Sequence, residues 1–212
     1  MKNRIAAIGL TAALASAAVA VPASSASAGD GHPHPGTTSL VEVLAADGVG
    51  FDRNWKDFDI VERAALTVLE AKPSSPVGVL ADGREALTAF VPTDRAFRRL
   101  VRDVTGTPPR NERQTFQAVA TLGVDTIEAV LLYHVVPGAT IDSAQAAKSD
   151  GARLDTALGE TVTVDVRPNR IYLIDKDYDD RNPRLVPKLL DINEGNRQIA
   201  HGIHRMLRPI DL

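Results

Sequence analysis

The chain holds 212 residues with 24 Lys+Arg against 27 Asp+Glu, a formal net charge of −3, and no cysteine. That length suits one domain with a substantial core, at about 100 to 200 residues per domain, and the missing cysteine excludes disulfides, thiol catalysis, thiolate metal centres and a lipidated-cysteine anchor. The acidic balance, with no basic run, argues against nucleic acid as a partner, because phosphates must be neutralised by clustered Lys and Arg.

The first residues read as a targeting segment. Lys2 and Arg4 precede an Ala-rich apolar run from Ile5 to Val21, and Ala26-Ser27-Ala28 has the form of a signal-peptidase site. The run sits at the low end of the roughly 17 to 25 residues that span a bilayer and is followed at once by Pro22. Residues 1–28 are therefore expected to be a cleaved signal peptide, with the product secreted, extracellular and without a stable membrane anchor. Residues 29–38, rich in Gly, Pro and His, are expected to be a flexible leader.

Order is expected from Ser39. Ser39 and Glu42 have capping-box spacing, with Leu40, Val43 and Leu44 on the apolar face of a short helix that Gly48 ends. A second helix is predicted from Asp59, with Val61, Ala65, Val68 and Leu69 at helical spacing until Lys72-Pro73. After the turn-rich stretch 73–83, Ala86 to Val91 reads as a buried strand, and Pro92-Thr93-Asp94 as the cap of a helix carrying Phe97, Leu100 and Val101. Pro108-Pro109 breaks the chain before a helix from Glu112 to about Leu122, and Asp125 to Glu128 opens another that runs into Leu131-Leu-Tyr-His-Val-Val-Pro-Gly138.

The second half changes period. Val162, Val164 and Val166 fall on one strand face, residues 167–170 form a turn, and Ile171 to Ile174 returns as the second arm of a hairpin. Two further strands are predicted, Leu185 to Ile192 and Ile199 to Leu207. Helices mostly first and strands mostly later give an α+β class with a largely antiparallel sheet.

Few constellations carry chemistry. His201 and His204 have a spacing that strand alternation sends to opposite faces, away from a shared metal. Asp175 to Asp180 resembles the start of a calcium loop, but Asp180 stands where glycine is wanted and Val186 where a bidentate glutamate is wanted, so it reads as a solvated acidic turn. His32 and His34 lie in the leader, which offers no preorganised geometry. Ser143 follows the Pro-Gly turn without any motif that specifies a serine, histidine and acid arrangement. His134, flanked by apolar pairs, is expected to be held by hydrogen bonds inside the core.

Phe90-Val-Pro-Thr-Asp-Arg-Ala-Phe97 and Leu131 to Gly138 resemble, in that order, the two best-marked motifs of the fasciclin domain family, and Arg197 to Pro209 resembles a third. In the third, Gln198, Gly202 and His204 replace the family's usual glycine, valine and aspartate. The resemblance covers about residues 39–209, leaving 210–212 as a tail, and residues 54–86 and 107–123 are longer than the compact family pattern. It implies a wedge-shaped, largely antiparallel β-sheet domain flanked by a layer of helices, in secreted and surface proteins of bacteria and eukaryotes associated with adhesion. It also implies a non-catalytic binding protein without a cofactor or metal, whose partner is a surface or matrix protein, a glycan or its own copy. In some animal members the Tyr-His region is implicated in integrin contact, which makes Tyr133 and His134 the candidate partner-binding residues. The alternative is a secreted enzyme or metal-dependent protein of another type.

Overall fold

The computed structural model describes residues 35–48 and 50–210. The expected signal peptide, the leader through His34 and the last two residues lie outside the described residues.

Helix α1 (Leu40–Leu44) opens with the capping box: Ser39 Oγ accepts from the Glu42 amide at 3.3 Å, and the Glu42 carboxylate accepts from the Ser39 amide at 2.8 Å. Together the two bonds satisfy donors that the first helical turn leaves unpaired. Helix α2 (Asp59–Ala71) stops before Pro73, and a 3-10 turn covers Pro76–Ala81. Strand β1 (Leu87–Pro92) is buried along its whole length, which is why it reads as a continuous apolar run rather than an alternating one. Helix α3 (Asp94–Thr105) ends at Gly106, whose φ of 73° lies in the left-handed region that glycine enters without cost. Helices α4 (Glu112–Ala120) and α5 (Val124–Tyr133) follow, then β2 (Val135–Pro137), α6 (Ser143–Ala146), β3 (Arg153–Asp155), β4 (Thr161–Arg167), β5 (Arg170–Ile174) and β6 (Gln198–Ile203).

The class is α+β, built on two three-stranded sheets. One has the order β3-β4-β5 and is antiparallel throughout, with the predicted hairpin turning at Asn169, φ 62°. The other has the order β2-β1-β6, with β1 antiparallel to β2 and parallel to β6. Three of the four strand pairs are antiparallel, in line with the largely antiparallel expectation, and β1 with β6 is the parallel one. Over a hundred residues separate β1 from β6, and a connection of that length can return the chain in the same direction.

One apolar cluster joins α1, α2, β1 and α5 through Leu40, Ile60, Val68, Leu87 and Leu131. The second, with Phe90, Tyr133, Val164, Leu173 and Ile203, fills the space between the sheets. Tyr133 therefore belongs to one cluster while its helix packs into the other.

Three expectations change. Gly36 to Thr38, assigned to the flexible leader, is held: Gly36 donates to Gly195 O at 2.8 Å, Thr38 donates to Asn196 Oδ1 at 3.0 Å, and Asn193 Nδ2 donates to Thr38 O at 2.8 Å. A Cβ on Gly83 would lie 1.8 Å from the Thr37 carbonyl oxygen, so glycine makes room for this strap. The expected strand from Leu185 to Ile192 is reduced to single bridges at its ends, Leu185 to Ile203 and Ile192 to Ala200. Pro187 cannot donate to a ladder, and the chain turns back as the Leu189 amide donates to Val186 O at 2.8 Å. Finally, Thr93 does not cap α3 with its side chain, and Asp94 caps a neighbouring helix, its Oδ1 accepting from the Ile60 amide at 3.0 Å.

Gln198 explains one departure from the family pattern. Its side chain is fully buried, accepts from the Leu40 amide at 2.8 Å, and donates to Val79 O at 2.7 Å and Asp82 O at 2.8 Å. One amide thus ties α1 and the 3-10 turn to β6. Gln198→Ala leaves three backbone groups without their partner and opens a void, so a loss of about 3 kcal/mol or more is expected in denaturant unfolding. A loss under about 0.5 kcal/mol would show that the three bonds are replaced by water.

Candidate functional site

Tyr133 and His134 are both buried, at 0% and 4% exposure, so neither offers a partner a surface in this conformation. The Tyr133 hydroxyl donates to Thr161 O at 3.3 Å, and burial, with the nearby Asp175 charge adding to it, raises its pKa well above the usual phenol value. His134 ends α5. Its Nδ1 lies 2.7 Å from Val130 O and its Nε2 accepts from the Leu207 amide at 3.0 Å. The second bond fixes the tautomer, with the proton on Nδ1 donated to the carbonyl. Burial, only partly offset by the Val130 bond, pushes the imidazole pKa down to about 4, so the ring is neutral at pH 7.

The other sequence candidates separate. His201 Nε2 lies 2.8 Å from Ile141 O and its Nδ1 accepts from the Asp191 amide, whereas His204 Nδ1 accepts from the Arg184 amide at 3.1 Å. Ser143 donates from Oγ to Asp191 Oδ2 and from its amide to Asp191 Oδ1 at 2.7 Å, and both ring nitrogens of the adjacent His201 are engaged with backbone groups, so the serine pairs with a carboxylate and not with a histidine.

The Asp175 to Asp180 stretch is not a solvated turn. The Asp175 carboxylate accepts from the Arg208 amide at 2.8 Å, and Asp177, 1% exposed, pairs with Arg208 at 2.7 Å. Asp180 and Asp103 of α3 both meet Arg205 at 3.1 Å. The acidic stretch is the counterion layer for two arginines that follow β6.

Beside that layer a cleft of about 670 Å³ opens, lined by Arg99, Arg102, Arg167, Arg181, Arg184 and Arg205 with Tyr172 and His204; Asp180 is its one carboxylate. Three of these arginines are neutralised, Arg102 by Asp103, Arg167 by Asp165 and Arg205 by Asp103 and Asp180. Among the described residues, Arg99, Arg181 and Arg184 have no such ion pair. The field is visible in its neighbours. Burial and then the charges of Arg184 and Arg99 lower the His204 pKa to about 4, and burial and then Arg205 lower that of Arg99. Sequence reading missed this site because its arginines come from four separate segments and form no run.

A smaller void of about 40 Å³ lies between α1, α2 and β1, lined mostly by apolar side chains and touching His134. It is room for about a single water and lacks the polar partners that hold one.

The three motif segments meet in one sheet, with β1 flanked by β2 and β6, and the fasciclin domain family matches residues 66–209. The chain belongs to the fasciclin-domain family. Such domains are known in adhesion proteins, occur in secreted or extracellular proteins and are typically non-catalytic. Here α1 and the start of α2 precede the matched segment yet share its core. Among solved structures, the FAS1 domain pair from the insect cell adhesion molecule fasciclin I is similar at 16% identity and a TM-score of 0.49, over 68% of this chain and 45% of that one. This chain therefore spans less than half of that insect chain. A search of curated proteins gives no match. Among the described residues, no single helix is long and apolar enough to cross a membrane.

His134 gives a pH prediction. In the unfolded chain its pKa is about 6.5 and in the fold about 4, so only the unfolded state gains a proton between those values. Its contribution is complete above about pH 6.5 and falls by about 3 kcal/mol as pH drops to 4. His134→Ala is expected to cost about 1 to 3 kcal/mol at pH 7, and its melting-temperature deficit to shrink on acidification toward pH 4.5. An unchanged melt at pH 7 would place His134 outside the core's hydrogen bonding.

Proposed function

We propose that this fasciclin domain is an exported, non-catalytic binding module whose target is an acidic surface glycan held in the arginine cleft. The carrying observation is the set of three arginines, Arg99, Arg181 and Arg184, that face the cleft without an ion pair among the described residues. Guanidinium groups present paired donors that match carboxylate and sulfate oxygens; Arg99 already gives one N–H to His204 O at 2.6 Å, and the donors that remain on the three can take an external anion. Tyr172 adds a ring at the rim, already stacked under Arg167 with 4.6 Å from guanidinium carbon to ring centroid.

The acidic character of the whole chain favours a glycan over nucleic acid. With 27 acidic residues against 24 basic ones, a long, dense polyanion is repelled outside the cleft, whereas short acidic sugar stretches meet only the arginines. The neutral His204, held by the Arg184 amide, supports the non-catalytic part of the reading. Tyr133 and His134 then act as an internal strut beneath the surface.

Binding to an immobilised short sulfated oligosaccharide is expected, with a neutral oligosaccharide of the same length as the control, and it should weaken steeply as salt is raised. Replacing Arg181 and Arg184 with serine removes two charge-assisted contacts and should weaken binding roughly tenfold or more with little change in melting temperature. Equal retention of the double variant and the parent would refute the cleft as the site.

A further inference from the structure

Helices α2, α3 and α4 begin with Asp59, Asp94 and Glu112. We propose that Asp57, Asp94 and Glu112 form a binding site for a hard divalent cation, with calcium the best-suited ion. The three side chains each offer a carboxylate oxygen, and these oxygens all lie within 4.8 Å of one another. A second such group, Asp52, Asp57 and Asp59, shares Asp57 with the first.

Two of the carboxylates are fully buried and half satisfied. Asp94 Oδ1 accepts from the Ile60 amide at 3.0 Å, and Glu112 Oε2 accepts from the Asp52 amide at 2.7 Å. Asp94 Oδ2 and Glu112 Oε1 are buried, and among the described residues no backbone, amide, guanidinium or alcohol donor reaches either; the one contact is between the Asp94 and Asp57 carboxyls themselves. Buried carboxylate oxygens are normally paired, and leaving them bare is costly. The strongest charged neighbours make the burden heavier, since those of Asp94 are Asp57 and Glu112, and those of Glu112 are Asp52, Asp57 and Asp59.

A shared proton relieves part of this. The Asp94 and Asp57 carboxyls face one another, and burial first, then that contact, raises the Asp94 pKa to about 9. A proton between those two leaves Glu112 Oε1 without a partner, whereas a cation among all three carboxylates satisfies both bare oxygens. The positive ends of three helix dipoles favour the anionic groups but supply no ligand to those two oxygens. An all-oxygen set of carboxylates suits a hard cation, and calcium tolerates the irregular geometry of a site assembled from separate segments.

The placement gives the cation a structural task. Asp57 and Asp59 lie in the stretch 54–86 and Glu112 in 107–123, the two segments longer than the compact family pattern, while Asp94 lies in the first motif. The ion would clasp both additions to α3. The earlier calcium candidate at Asp175 to Asp180 has no such vacancy, since Arg205 and Arg208 already occupy Asp177 and Asp180.

The test is a thermal melt of the protein after chelator treatment, followed by titration with calcium chloride or magnesium chloride. The melting temperature is expected to rise with added cation and to saturate with a dissociation constant of about 1 mM or tighter. Glu112→Gln should remain folded by circular dichroism and lose the cation-dependent rise. Asp94→Asn, which keeps an oxygen for the Ile60 amide, should do the same and serves as the readout should Glu112→Gln fail to fold. Melting temperatures equal in chelator and in about 10 mM of either cation, or a rise as large in the folded variants as in the parent, would overturn the site.

Discussion

The bond from the Leu207 amide to His134 Nε2 holds two parts of the fold at once. On one side, His134 closes α5 and its Nδ1–H completes the helix by donating to Val130 O. On the other, Leu207 sits between Arg205 and Arg208, whose guanidinium groups meet the acidic counterion layer, and Arg205 also lines the cleft. A neutral imidazole suits this position because it offers one donor and one acceptor in fixed directions. An imidazolium would lose the acceptor, and burial disfavours the charge. The Tyr-His pair thereby helps to set the position of the chain that follows β6, and through Arg205 one side of the proposed binding cleft.

That chain segment is where charge is sorted. Arg208, almost buried, is committed to Asp177, and Arg205 to Asp103 and Asp180. Their pairing is internal scaffolding, worth more for orientation than for net stability, because desolvation offsets much of the attraction. Among the described residues, Arg99, Arg181 and Arg184 are left without an ion pair in one concave patch, and on the proposed reading that patch is where an anionic partner is drawn.

Local features were legible in the sequence, and assembled ones were not. The Ser39 capping box, the hairpin over β4 and β5, and the helix starting at Asp59 all depend on residues a few positions apart, and each forms as its spacing implies. The interior placement of His134 was also readable, from apolar neighbours on both sides. The cleft, the Gln198 hub and the carboxylate group at the helix starts depend on residues brought from distant segments, so no spacing marks them. Asp94 shows the limit clearly. Its position predicts a cap for its own helix, but the packing of α2 against α3 turns the carboxylate toward Ile60. Asp177 likewise looked solvated because its partner, Arg208, lies far along the chain.

The central claim is that recognition belongs to the arginine cleft while the Tyr-His segment supports it from within. Titrating a short sulfated oligosaccharide into isotope-labelled protein and following backbone amide shifts by NMR addresses both halves together. The account predicts that the largest shifts cluster at Arg99, Tyr172, Arg181, Arg184 and His204, with those of residues 133–138 small. Shifts concentrated on residues 133–138, with the cleft silent, would contradict it.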